Sequence, residues 1–179
     1  MKGKTTCLSV LRTSTAEQAE DEKTGLPAQR REIERWLKSN SFPPAAREII
    51  DVNISAADLM NLKIGDVAKE IANLKRKRAK PGTYALCFAN SARMSRAKTI
   101  NSLTELLRLI KSGIDIVFCL QNIHVTALDD ENTMQMKLMF ALSSFQQNRQ
   151  ELLTLSRRTK GVWEENRKKW QAYEEGKGE

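Results

Sequence analysis

Three short apolar runs, at Thr5–Leu11, Tyr84–Phe88 and Ile114–Leu120, and a short strand-like segment at Arg47–Asp51 centred on Ile49-Ile50, alternate with stretches whose apolar residues recur every three or four positions. That alternation constrains the fold more than any other feature of the chain. Short runs that are apolar along most of their length read as strands buried on both faces. Such strands belong to parallel sheets with crossover helices packed above and below. The helical stretches carry Ile33, Trp36 and Leu37, then Val67, Ile71 and Leu74, then Ile100, Leu103, Leu106, Leu107 and Ile110. Pro27 suits the first turn of the first helix, and Pro43-Pro44 closes that unit. Pro81-Gly82 breaks the chain before Tyr84–Phe88, and Gly113 ends the third helix. The expected fold is α/β, a mostly parallel four- to five-stranded sheet flanked by helices.

From Asp130 the pattern changes, because no strand signal or Pro follows and helix formers dominate to the C-terminus. One long helix is expected, capped by Asp130 or Asn132. Its residues Leu138, Ala141, Phe145, Leu152 and Leu155 fall on an alternating three/four spacing, with Asn148 at the one polar seam position. The first two turns can pack on their own domain, but towards Arg157 the seam calls for a second copy. The chain thus divides into a compact domain, 1–128, and a helical extension, 129–179. Trp163, Trp170 and Tyr173, set among many charges, read as an exposed continuation.

Lys and Arg number 30 against 22 Asp and Glu, a formal net charge of +8. Clustered cations favour a polyanionic partner through counterion release, which makes nucleic acid the first candidate. Charge that serves only solubility is the alternative. The run Lys75-Arg76-Lys77-Arg78-Ala79-Lys80 reads as a solvated helix end in preference to a DNA contact. Cys7, Cys87 and Cys119 each sit in an apolar run without CxxC spacing, so they read as core thiols of a protein in a reducing cytoplasm, not as a disulfide or metal site. No run approaches the ~18 apolar residues of a membrane span.

Two polar loops leave the ends of expected parallel strands, the rim on which an α/β sheet gathers its chemistry. One offers Arg12, Ser14 and Gln18, and the other Arg93, Ser95 and Arg96. A hydroxyl beside several guanidiniums suits phosphoryl transfer, since Arg forks bind nonbridging oxygens and stabilise developing charge without a metal. An RxS triplet alone is common, and loop serines are usually caps or turn formers. His124, after the run Ile114–Leu120, reads as a loop contact and not as a general base.

Taken in order, these segments resemble the N-terminal catalytic domain of the resolvase/invertase family of serine site-specific recombinases. Leu11-Arg12-Thr13-Ser14-Thr15-Ala16-Glu17-Gln18 looks like that family's opening strand and R-[V]-S-T-x-x-Q. Gly25-Leu26-Pro27-Ala28-Gln29 looks like its G-L-x-x-Q, and Asp51-Val52-Asn53-Ile54-Ser55 like its D-x-x-x-S. Ala92-Arg93-Met94-Ser95-Arg96 resembles D-R-L-S-R, and Arg158-Thr159-Lys160-Gly161 the late R-T-x-x-G.

The resemblance implies that Ser14 attacks a DNA phosphate to form a 5′-phosphoserine link. Arg12, Arg93 and Arg96 would stabilise the phosphate, with Gln18 and Lys63 completing the catalytic set. It implies DNA contacts from Gln29, Ser55, Arg149, Arg158 and Lys160, with no metal and no small-molecule cofactor. The partners implied are double-stranded DNA and further copies of the chain, a homodimer that becomes a tetramer in the synaptic complex. The long helix would build the dimer and touch DNA, and a separate recognition domain would lie beyond residue 179. The chain departs from the pattern at Ala92, where the family has Asp, at the family's third-loop Arg, for which the nearest candidate here is Lys63, and at Asn148, where Glu is usual. An alternative is therefore a catalytically impaired dimerisation and DNA-binding module of the same fold. A nucleotide-binding α/β domain is disfavoured, because no GxGxxG or GxxxxGK[ST] loop follows any strand.

Overall fold

The structure, a computed structural model, describes residues 5–13, 25–52 and 59–174. Its elements follow the alternation in the sequence: β1 (Thr6–Thr13), α1 (Leu26–Ser39), β2 (Arg47–Val52), α2 (Met60–Lys63), α3 (Gly65–Arg76), β3 (Tyr84–Phe88), α4 (Ser91–Met94), α5 (Thr99–Lys111), β4 (Ile114–Phe118), β5 (Ile123–Val125) and α6 (Glu131–Glu174). The strands form one sheet in the order β2-β1-β3-β4-β5, parallel except where β5 runs antiparallel to β4. One expectation is corrected here. His124 lies on β5 opposite Val117, not in a loop, and its Nε2 is 3.2 Å from Asp115 Oδ2. The reversal into β5 is a tight turn with Asn122 at φ +52°, and a three-residue strand is too short for periodicity to register.

Alternation along the strands gives the sheet two unlike faces. One carries Leu8, Val10, Leu86, Phe88, Ile116 and Phe118, covered by apolar residues of α3, α5 and α6. The other carries Cys7, Ala85, Cys87, Ala89, Val117 and Cys119, mostly small, under Ile33, Trp36 and Leu37 of α1. The small side chains leave room for Trp36 and Phe42, whose ring centroids lie 5.2 Å apart. All three thiols are buried, as their apolar surroundings implied.

α6 starts at the end of the sheet where the parallel strands begin, since Leu128, just before it, lies against Gly82. It runs towards the end where they finish, where Phe145 meets Phe118 edge-on at 5.8 Å and Asn148 donates to Ser91 Oγ at 3.0 Å. Leu138, Ala141, Phe145 and Asn148 therefore face their own domain, a longer internal contact than the two turns expected, and the seam is not free for a second copy until after them. Every residue from 153 to 171, and Tyr173, is exposed. At ~1.5 Å per residue this makes an arm of about 30 Å projecting past the far end of the sheet. Among the described residues no helix is long and apolar enough to cross a membrane.

Candidate active site

The site forms where β1 outruns its neighbour. Val10 is the last residue of β1 paired with β3, and beyond it β1 continues against β2 alone, with Arg12 opposite Asp51 and Thr13 opposite Val52. The Arg12 backbone, lacking a β3 partner, must find other hydrogen bonds. Gln29 on α1 provides them: the Arg12 N–H donates to Gln29 Oε1 at 3.1 Å, and Gln29 Nε2 donates to the Arg12 carbonyl at 3.0 Å. The clamp is buried, with Gln29 3% and Arg12 2% exposed.

Arg93 lies 81 residues further on, in the single turn of α4, and interlocks with Arg12. Arg12 Nε donates to the Arg93 carbonyl at 3.2 Å, and an Arg93 terminal nitrogen donates to the Arg12 carbonyl at 3.4 Å. Asn90 caps the turn, its Oδ1 accepting from the Arg93 N–H at 3.2 Å. Asn61 Nδ2 on α2 donates to the carbonyls of Arg93 and Met94 at 3.3 and 3.0 Å. Gln121 Oε1 accepts from the Ser91 N–H at 3.3 Å, and Asn148 holds Ser91 from α6. The turn is thus braced by neighbouring elements.

Three guanidiniums share this corner. Burial, then the charges of Arg93 and Arg96, push the Arg12 pKa down to about 10, while Asp51 pulls the other way. Arg93 is lowered by burial and by Arg96. Burial raises Asp51 above the usual carboxylate range, opposed by backbone N–H groups at the start of α3, of which the Asp66 N–H reaches Oδ1 at 2.8 Å. Thr13 Oγ1, Asp51 Oδ2 and Asn61 Oδ1 are buried without a hydrogen-bond partner among the described residues. Crowding like charges beside buried polar atoms is costly, and such an arrangement makes this corner the candidate site. An anion with several oxygens fits this excess of cation, and guanidiniums can also stabilise charge growing on a phosphate.

Arg12, Arg93 and Arg96 come together as their loops implied. Lys63 is exposed on α2, two residues past Asn61, at the margin of the buried cluster. Gln29 sits inside the fold, with its amide engaged by the Arg12 backbone, an arrangement that favours positioning over contact with DNA. Arg149 is half-buried beside Asn148, and Arg158 and Lys160 are exposed on the arm. Ser14, Gln18 and Ser55 lie outside the described residues. The sequence did not single out Asn61, Ser91 or Asp51 as site residues. Only Asp51 had a usable signal, as the first residue of the D-x-x-x-S segment.

Replacing Gln29 with Ala removes the acceptor of the Arg12 N–H and one of two donors to the Arg12 carbonyl, the other being Arg93. It is expected to lower the unfolding free energy by about 1–3 kcal/mol in urea titrations, the cost of stranding buried polar groups. A loss within the scatter of exposed-site substitutions would count against the clamp.

The family described as Resolvase, N terminal domain, matches residues 7–171. Curated protein sequences give no match. Among solved structures, the N-terminal catalytic domain of the TP901-1 integrase is similar, with a TM-score of 0.57 at 16% identity over 82% of this chain and 98% of that one. A resolvase family site-specific recombinase from Streptococcus pneumoniae has a TM-score of 0.53 at 16% identity over 92% of this chain and 99% of that one. At such identity these two likenesses speak for the fold. The family match spans nearly the whole chain, from β1 into the arm, and the chain belongs to the resolvase N-terminal domain family of serine recombinases.

Proposed function

We propose that this chain cuts and rejoins DNA strands, with Ser14 as the nucleophile. The observation that carries the reading is the partly buried Arg12–Arg93 interlock, with Arg96 beside it, at the end of the strand that leads through Thr13 into Ser14. In the step proposed, the Ser14 oxygen gives up its proton and bonds to phosphorus. The bond from phosphorus to the 3′ oxygen breaks, and that oxygen leaves as a protonated 3′-hydroxyl. The strand end stays attached as a 5′-phosphoserine ester, so the reverse attack rejoins DNA without an outside energy source. Arg12, Arg93 and Arg96 hold the nonbridging oxygens and stabilise the charge that gathers on them. Gln18 and Lys63 border the same phosphate, and no metal or small-molecule cofactor takes part in the scheme.

Ser55, Arg149, Arg158 and Lys160 contact the duplex, while Gln29 acts by holding Arg12. The direction of α6 supports this division, because the arm leaves the sheet at the same end as the arginines. DNA gripped by Arg158 and Lys160 is thereby brought towards the scissile phosphate. A homodimer, and a tetramer when two sites pair, forms through the outer side of α6, where Met136, Met139 and Phe140 are exposed by 53%, 66% and 58%. The reading of an impaired module rests on Ala92 and Lys63, and the bracing of α4 by Asn61, Asn90 and Asn148 weighs against it.

The test is to incubate the chain, unaltered and as Ser14→Ala, with plasmid DNA carrying its target region, quench with denaturant, and probe for protein linked to DNA. An adduct in the unaltered chain that is absent from Ser14→Ala is expected. Absence from both, with DNA still bound, would select the non-catalytic module.

A further inference from the structure

We propose that the end of the sheet opposite the arginine site carries a second surface for duplex DNA, built from Lys77, Arg78, Lys80 and Lys111. In the sequence the first three look like the ordinary basic end of a helix. The fold adds a cation from a distant segment. Gly113, at φ +79°, lies so close to the loop after α3 that an added Cβ would stand 2.0 Å from the Ala79 carbonyl oxygen, which seats the end of α5 and its Lys111 beside the basic run. All four side chains are exposed, and none joins an ion pair among the described residues. Three acids on segments at this end of the sheet are already engaged. Asp129 holds Lys137 at 2.6 Å, Asp130 caps α6 through the Thr133 N–H at 3.0 Å, and Asp115 is buried against the Gly82 N–H and His124.

Arg78 supplies an independent argument. The helix α3 closes with the Arg78 N–H on the Lys75 carbonyl at 3.0 Å and the Ala79 N–H on the Leu74 carbonyl at 3.1 Å. In that ending the residue after the cap is left-handed and is normally Gly. Here it is Arg78 at φ +52°. A residue with a Cβ is disfavoured there, so a cation at this corner opposes local stability and fits a surface role.

The patch and the arginine site face different partners. The Thr6 N–H donates to the Thr83 carbonyl at 2.8 Å, which ties the patch loop to the start of β1. Arg12 lies six residues along that strand, about 20 Å away at ~3.3 Å per residue. A duplex on the arginine site and the arm leaves the patch open to another segment. Exposed point charges from two chain segments, without a buried fork, suit a row of phosphates better than a single one. In naming DNA as the polyanion the proposal rests on the reading of Ser14 above, whereas the charge array does not.

The test uses the full chain carrying Ser14→Ala, so that binding is measured without cleavage, and short duplexes of random sequence. Lys77→Gln, Arg78→Gly, Lys80→Gln and Lys111→Gln together are expected to reduce the slope of log affinity against log salt by about 3–4, at ~0.9 per phosphate contact. Saturation at low salt should fall from two duplexes per protomer to one. Arg78→Gly alone should weaken binding several-fold while raising Tm by about 2–4 °C, since Gly relieves the left-handed strain. A merely structural role would move affinity and Tm together. Unchanged slope and stoichiometry would overturn the proposal, as would loss of binding to vesicles rich in phosphatidylserine with duplex binding intact. Failure of Ser14 to form an adduct in unaltered protein would count against the cleavage reading and leave these measurements interpretable.

Discussion

Arg12→Lys is expected to slow formation of the covalent DNA adduct by about 100- to 1,000-fold, the usual cost of losing one preorganised charge stabiliser. Lysine keeps the charge but cannot present two parallel donors, and it cannot reproduce the Nε bond to the Arg93 carbonyl at 3.2 Å. Binding of DNA should change far less, because in the proposed scheme the arm and the remaining cations supply most of the sequence-independent attraction. Rapid-quench measurement of adduct under saturating protein separates the two effects. Equal losses in binding and cleavage would show that Arg12 only gathers DNA.

The depressed pKa of Arg12, about 10, adds a pH signature. A cation whose folded pKa lies below its unfolded value costs the fold stability while charged. That cost stands in full at neutral pH and is relieved as pH rises through the folded value. In the proposed scheme the same deprotonation removes the charge that holds phosphate. Cleavage should therefore fall on raising the pH through about 10, while the contribution of Arg12 to stability rises over that interval. Arg12→Lys should alter the alkaline limb, and the comparison is made by following adduct rate and denaturant midpoint on the same samples.

Phe145→Ala is expected to lower the unfolding free energy by about 3–5 kcal/mol, the range for truncating a buried aromatic side chain. Phe145 is 1% exposed and stands edge-on to Phe118, which anchors α6 to the sheet three residues before Asn148 reaches the arginine turn. For a domain of this length such a loss lowers Tm by about 6–20 °C. Leu155→Ala, on the exposed arm, should leave the unfolding free energy of the monomer within ~0.5 kcal/mol. Chemical denaturation at several protein concentrations distinguishes the sites. If Leu155→Ala proved as damaging as Phe145→Ala at every concentration, the arm would be part of the core and not a free extension.

By itself, the sequence determined the layered α/β plan, the long helix, the burial of the three cysteines and the two arginine-bearing strand ends. These are legible because burial imposes a period on local side chains: two for strands, three to four for helices, continuous where both faces are covered. The motif residues Arg12, Arg93 and Arg96 were legible for a related reason, since each stands at a break in such a pattern.

What the tertiary structure alone decided depends on groups far apart in the chain. Leu138, Ala141 and Phe145 show the same periodicity whether a helix packs on its own sheet or on a second copy, and the sheet's position settled the choice. Gln29 carries no local sign of its role, because the Arg12 backbone needs it only where β1 outruns β3. Asn148 looked like a polar flaw in an apolar seam until Ser91, 57 residues away, was brought to face it. Lys111 joined the basic run only because Gly113 lets two loops touch. Local pattern records which side chains must leave water, and long-range packing decides which groups they then meet.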